Sequence, residues 1–187
     1  MKSKLVCAAL VLGLVGTAAT AAESNWRKVA PAESKFQVLM PSEPLHQKQT
    51  ERTPFGTMDV NLYMGMDLDK NIAYLVGTCD LPPAVRDQAK PSEQALDTMV
   101  QGAVIGAKGK LLGQKKITLA GHSGREFEAS VLNGSGTLKG RAFLVKGRIY
   151  LVMVLTPKGR EDAANSARFF DSFKFAAAAA PLDLLRD

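Results

Sequence analysis

The nearest approach to a catalytic motif in this chain is Gly121 to Arg125, GHSGR, which brings a serine into the setting of a serine-hydrolase elbow, G-x-S-x-G. The fifth position is Arg125 rather than glycine. The elbow also needs strand, turn and helix in that order, whereas here the pattern that follows is a strand. The segment therefore reads as a turn leading into a strand. GAKGKL, Gly106 to Leu111, fails as a phosphate loop because it lacks the first glycine at the required spacing and a Ser or Thr after Lys110. Metal binding needs converging His, Cys or carboxylate ligands. His46, Cys79 and His122 are far apart in sequence and form no ligand pattern, so no metal and no cofactor is expected. Glu126 and Glu128 share a strand face and have the residue types of an acid pair. A cross-strand ion pair between Glu128 and Arg141 is the commoner use of such residues.

Charge is unevenly spread. Lys108 to Arg160 contains eleven basic residues against Glu126 and Glu128, a segment charge of +9 in a chain of net +6. A field of that shape steers acidic partners or anionic surfaces. Its focus is a mixed face carrying Lys139, Arg141, Phe143, Arg148 and Tyr150. Arginine beside aromatic residues is typical of binding hot spots. Two readings stay open: an exposed binding patch, or a minor core in which the second helix or the tail covers Phe143 and Tyr150.

The elements that place these residues follow from periodicity. Arg125–Leu132, Thr137–Val145 and Arg148–Leu155 read as three strands, joined by Asn133-Gly134-Ser135-Gly136 and by the two-residue turn Lys146-Gly147. The tight turn pairs Phe143 with Tyr150 and Arg141 with Val152. The longer loop pairs Leu132 with Thr137 and so Glu128 with Arg141. Phe127, Ala129, Val131, Leu138, Ala142, Leu144 and Ile149 then share an uncharged face, and the mixed residues occupy the other.

Upstream, KFQVLM (35–40) and DVNLYMGMD (59–67) alternate as strands, the latter with Val60, Leu62, Met64 and Met66 on one face. IAYLVGTC (72–79) completes a hairpin with it, His46 to Thr53 reads as an edge strand, and Pro54-Phe55-Gly56 as a turn. A helix is expected from Pro91, with Ala95, Leu96, Met99, Val100, Ala103, Val104 and Ala107 on its packed side, and with Gly102 and Gly106 permitting close approach to a sheet. A second helix follows Glu161-Asp162, its buried stripe Ala163, Ala164, Ala167 and Phe170. Five alanines, Pro181 and LDLLRD form a loosely held tail over 176–187.

Lys2 and Lys4, the apolar run Leu5 to Val15 and the small residues Ala18 to Ala22 have the order of a cleavable export signal, with cleavage after Ala21 or Ala22. Cys7 lies early in that run and follows Val6, which argues against lipidation. No second apolar run of membrane length, about 20 residues, occurs in the sequence. The expectation is one domain over 22–175, located in the periplasm or secreted, with Cys79 its sole thiol. Nucleic acid is a poor partner there. An acidic protein or an anionic envelope component fits better.

FQVLMPSEP (36–44), GREFE (124–128), GRIYLVMV (147–154) and RFFDSFKF (168–175, placed on a helix) resemble the PsbP-like superfamily. The resemblance implies an α+β fold, an antiparallel sheet flanked by helices in an α/β/α sandwich, and non-enzymatic accessory or binding roles. It carries no metal ligand over to this chain. The alternative class is a small-ligand carrier or hydrolase with a pocket between helix and sheet.

Overall fold

Strand content dominates because most of the chain alternates or runs apolar between turn residues. The computed structural model describes residues 26–53, 56–86 and 93–176. The expected export signal, the turn residues Pro54 and Phe55, Pro91 and the tail beyond Ala176 lie outside them. Seven strands form one antiparallel sheet: β3 (Leu45–Thr53), β4 (Gly56–Asp67), β5 (Ile72–Asp80), β6 (Lys110–Leu119), β7 (His122–Val131), β8 (Gly136–Val145) and β9 (Arg148–Pro157), in the spatial order β3-β4-β5-β9-β8-β7-β6. Two meanders are thus joined along β5 and β9. Their connection carries α1 (Pro83–Arg86) and α2 (Glu93–Gly106). A small sheet, β1 (Arg27–Val29), β2 (Phe36–Met40) and β10 (Lys174–Phe175), places β2 between strands from the two ends of the described chain. With α3 (Ala163–Ser172) it covers the face opposite α2, so the architecture is an α+β sandwich with helices on both sides of the sheet. No helix among the described residues is long and apolar enough to cross a membrane.

Period-two alternation divides the sheet residues between two cores. Phe127, Ala129, Val131, Leu138, Ala142, Leu144 and Ile149 pack with Leu96, Met99, Val100 and Val104 of α2. Phe143, Tyr150, Val152 and Val154 pack with Phe36, Val38, Met40, Phe169, Phe170 and Phe173 on the other side. The β8–β9 register is the expected one, Phe143 opposite Tyr150 and Arg141 opposite Val152. Lys146 (φ 51°) and Gly147 (φ 77°) both have the positive φ that a two-residue hairpin turn requires.

The β7–β8 pairing differs from expectation. Val131 pairs with Gly136, so Arg141 faces Glu126, and Glu128 faces Lys139. Leu132 and Asn133 both turn into the left-handed region, φ 52° and 55°, which ends β7 one residue early. The loop is therefore Leu132–Ser135 rather than 133–136. One residue moves on each strand, so parity survives and every side chain keeps its predicted face.

Helix α2 buries the expected stripe of Leu96, Met99, Val100 and Val104. It closes with Lys108 (φ 50°), whose N–H reaches the Ile105 carbonyl (2.9 Å) while Gly109 N–H reaches that of Val104 (2.8 Å). Those two bonds form a Schellman cap. The close approach to the sheet belongs to Gly109, where a Cβ would lie 2.8 Å from Val131 and 2.9 Å from the Ser130 carbonyl. Gly102 and Gly106 face open space instead. Gly102→Ala should therefore raise stability by about 0.5–1 kcal/mol, because alanine restores helix propensity without a clash. Urea unfolding reads this directly, and a destabilised variant would show Gly102 to be doing something the geometry does not contain.

Helix α3 rotates away from the expected alanine stripe. Asp162 caps it, accepting from Asn165 N–H at 3.0 Å. Ala163, Ala164 and Ala167 are exposed, and Phe169 joins Phe170 in the core. Aromatic area outweighs alanine area by several-fold, so the adjacent Phe pair sets the helix's orientation. Only Arg168 to Ser172 of the RFFDSFKF segment is helical; Phe173 is an extended cap and Lys174–Phe175 form β10.

Three strands had no sequence counterpart: β1, β6 and β10. Most of β6 is exposed, and it forms the edge opposite β3. There Lys115 and Lys116, together with a register irregularity between Leu111 and Gly113, guard the open hydrogen-bonding edge.

Candidate functional site

The mixed face of the meander divides into parts with different fates. Lys139, Arg141, Phe143, Arg148 and Tyr150 do project from one side of the sheet. The two aromatic residues are core: Phe143 is 1% exposed and Tyr150 4%. Phe175 packs edge-on against both, at 5.4 and 5.1 Å, and Phe173 stacks on Phe143 at 6.3 Å. The segment after α3 thus covers them, so of the two readings of this face the minor core is the one the two rings follow.

Arg141 is a clamp between sheet and helix. It donates to Glu126 Oε2 (2.9 Å) and to the Phe170 carbonyl (3.3 Å), and its guanidinium lies 4.8 Å from the Phe170 ring centre. Lys139 remains exposed and borders an open groove of about 700 Å³ beside the start of α3. That groove is mixed in charge, with Lys115 and Lys139 facing Glu126, Glu128, Glu161 and Asp162. Glu126 is engaged by Lys115 (2.7 Å) as well as Arg141, and Asp162 by Lys70, so two of its four carboxylates already hold cations.

Arg148 points to a second concavity. It grips Asp80 with two bonds of 2.7 Å and donates to the Glu33 carbonyl. The Arg148 guanidinium holds the Asp80 carboxyl below its ordinary range, aided by the fields of Arg86 and Lys35. Those same cations, with Lys146, line a notch of about 420 Å³ whose wall includes His122, Tyr150 and Phe175. Lys35, Arg86 and Lys146 come from three separate places in the chain. Lys35 (φ 52°) ends the β1–β2 connection, Arg86 ends α1, and Lys146 sits in the β8–β9 turn.

Buried bonds fix that arrangement. Thr78, Ser34 and Tyr63 link in a chain, Thr78 Oγ1 to Ser34 Oγ at 3.1 Å and Ser34 Oγ to Tyr63 Oη at 2.9 Å, and the Tyr63 hydroxyl donates to Glu33 at 2.7 Å. Burial pushes the Tyr63 phenol up to about 12, so it stays a donor at all ordinary pH. The chain pins the Pro31–Lys35 turn, and the Lys35 carbonyl accepts from Tyr150 Oη (3.3 Å) and Ala176 N–H (2.9 Å). The Arg86 stem crosses Gly147 so closely that a Cβ there would lie 2.3 Å from Arg86 Cγ. Among the described residues that line it, Asp80 is the sole carboxylate.

The other sequence candidates have structural roles. Ala120 and Gly121 form a two-residue turn and Ser123 lies in β7 opposite Thr118, so GHSGR is strand, turn, strand. Arg125 is 4% exposed and holds α2 through Asp97 and Glu93. Burial pushes the Cys79 thiol up to about 11, which keeps it protonated. Among the described residues no three His, Cys, Asp or Glu side chains are grouped to hold a metal.

Comparison with known proteins places this geometry in a fold. The solution structure of cyanobacterial PsbP (CyanoP) from Synechocystis sp. PCC 6803 aligns with a TM-score of 0.56 at 13% sequence identity, over 87% of this chain and 99% of that one. The fold is PsbP-like. No protein-family model matches the chain, and no curated protein matches its sequence. The PsbP-like likeness is thus one of architecture, and sequence reasoning could not have supplied the notch. Lys35, Arg86 and Lys146 lie in two separate turns and at the end of α1, and only Lys146, beside Gly147, had a local signal.

Proposed function

We propose that this is an exported, non-enzymatic accessory protein of the cell envelope that binds an anionic partner at the basic end of the sandwich. The observation that carries the proposal is the notch, where Lys35, Arg86, Lys146 and Arg148 meet around Asp80, the one carboxylate among its described lining residues. The PsbP-like fold supports an accessory role, and the order of residues 1–22 supports export. Exposed lysines retain long-range reach, so association with an anionic partner should be fast and salt-sensitive.

The test uses a fluorescent poly-glutamate peptide as the acidic probe and the protein recovered from a periplasmic fraction. Binding should fall steeply in the Lys35→Glu/Lys146→Glu variant and on raising salt, since exposed charges are screened beyond roughly 8 Å at physiological ionic strength. The thermal midpoint should barely move, because neither lysine is in an ion pair among the described residues. Equal affinity in variant and parent at both salt levels would remove the notch from consideration. The mass of the recovered protein should correspond to a chain beginning at Ala22 or Glu23, and retention of residues 1–21 would contradict export by cleavage.

A further inference from the structure

Resting on the reading of the notch as an anion site, we infer that the group it takes is a phosphate monoester. Arg148 is already neutralised by Asp80 through two bonds of 2.7 Å. Lys35, Arg86 and Lys146 border the same space of about 420 Å³, and among the described residues no ion pair includes any of them. Three cations around a small concavity match a ligand with more than one charge. A single carboxylate leaves two of them uncompensated, whereas a phosphate monoester brings roughly −1.5 to −2 charge and three acceptor oxygens.

The donors suit that shape. Two lysine ammonium groups act as adjustable point charges, and the Arg86 guanidinium is a planar fork suited to two phosphate oxygens. The Arg86 stem rests on Gly147 and its Nη2 donates to the Leu81 carbonyl (3.3 Å), so the fork is held before a ligand arrives. Leu81 N–H in turn bonds the Gly147 carbonyl at 2.8 Å, tying α1's approach to the β8–β9 turn. The remaining lining sets His122, Tyr150 and Phe175 among Ala120, Val145 and Ala176, and the His122 ring stands edge-on to Phe175, with ring centres 5.4 Å apart. The site therefore offers cations for the phosphate and aromatic and aliphatic surface for the organic carrier. Both a soluble sugar phosphate and a monoester lipid headgroup meet those terms.

Amide NMR of the full-length mature protein separates the possibilities. Glucose 6-phosphate should produce saturable shifts at Lys35, Arg86, His122 and Gly147, and glucose none. Affinity should drop about tenfold or more in Lys35→Gln/Lys146→Gln, the loss expected when charge-assisted hydrogen bonds are removed. Co-sedimentation with vesicles containing phosphatidic acid, compared with phosphatidylglycerol, identifies the lipid source if the monoester vesicles alone retain the protein. Succinate matching glucose 6-phosphate at equal ionic strength would overturn the phosphate assignment. So would the absence of both a saturable shift and retention on phosphatidic acid vesicles while poly-glutamate still binds, an outcome that leaves the anion-site reading intact. Loss of both interactions would sink the two together.

Discussion

Gly140→Ala is expected to destabilise the protein by about 2–3 kcal/mol, the cost of forcing an extra methyl into a packed core. Gly140 sits in β8 opposite Phe127 of β7, and a Cβ built on it would lie 2.4 Å from Phe127 Cζ and 2.5 Å from Cε1. The Phe127 ring is 2% exposed and packed beneath α2, so it has nowhere to retreat. The same arrangement recurs reversed on the other face. Gly124 of β7 lies under Phe143 of β8, where a Cβ would approach Cδ1 to 2.5 Å and the Ala142 carbonyl to 2.7 Å. Each strand thus lends a ring to the other's glycine. Gly140→Ala combined with Phe127→Leu should lose less than the sum of the two single changes, by a coupling of about 1 kcal/mol or more. Urea melts of the four proteins measure it. Strict additivity, or a neutral Gly140→Ala, would mean the ring does not rest on that glycine.

Arg125→Ala is expected to cost about 3 kcal/mol, at the lower end of what breaking a buried ion pair costs. The Arg125 side chain donates to Asp97 Oδ1 (2.7 Å), Glu93 Oε2 (2.5 Å) and the Glu93 carbonyl (3.5 Å), binding α2 to β7. Its carboxylate partners keep 43% and 56% of their side-chain surface and stay solvated when the arginine is lost, which limits the penalty. Arg125→Met retains an apolar stem and should lose less. The pH dependence distinguishes charge from packing. Lys116 first, then Arg125, holds the Glu93 carboxyl below its ordinary value in the folded state. A depressed folded pKa contributes stability above the unfolded value, about 4.3, and that contribution disappears as pH falls through the folded value. The gap between parent and Arg125→Met should therefore narrow below about pH 4. A gap independent of pH would assign the effect to packing alone.

How far these features could be read from sequence depended on how local their causes are. The Lys146-Gly147 turn fixes the β8–β9 register through its length and its positive φ values, so Phe143 beside Tyr150 was legible. The β7–β8 pairing depends on Leu132 taking a left-handed conformation. Nothing in a leucine announces that, and the expected Glu128–Arg141 pair became Glu126–Arg141. Edge strand β6 carries little signal in the sequence because solvent on most of its surface leaves KLLGQKKITL without strict alternation. The cover over Phe143 and Tyr150 was one of two readings left open, and tertiary packing of Phe173 and Phe175 decided it. The notch was the least legible feature, since its cations meet only after two turns and the end of α1 have been brought to one end of β9.

The placement of β2 between β1 and β10 has a temporal meaning. One of the two cores is closed by Phe169, Phe170 and Phe173, and Phe175 packs against it, yet these are among the last residues of the fold to leave the ribosome. A nascent chain that ends before them has β2, β5 and β9 but lacks the aromatic residues that complete the core between the two sheets. Long-range closure of this kind delays commitment to the native state. The β1–β2 end and the β10 end are joined like the two halves of a clasp, and Lys35, whose carbonyl receives the Ala176 N–H, sits at the fastening point. The notch to which Lys35 and Phe175 both contribute is therefore assembled only when the clasp shuts, so the surface proposed for binding exists in the finished protein and not in its precursors on the way there.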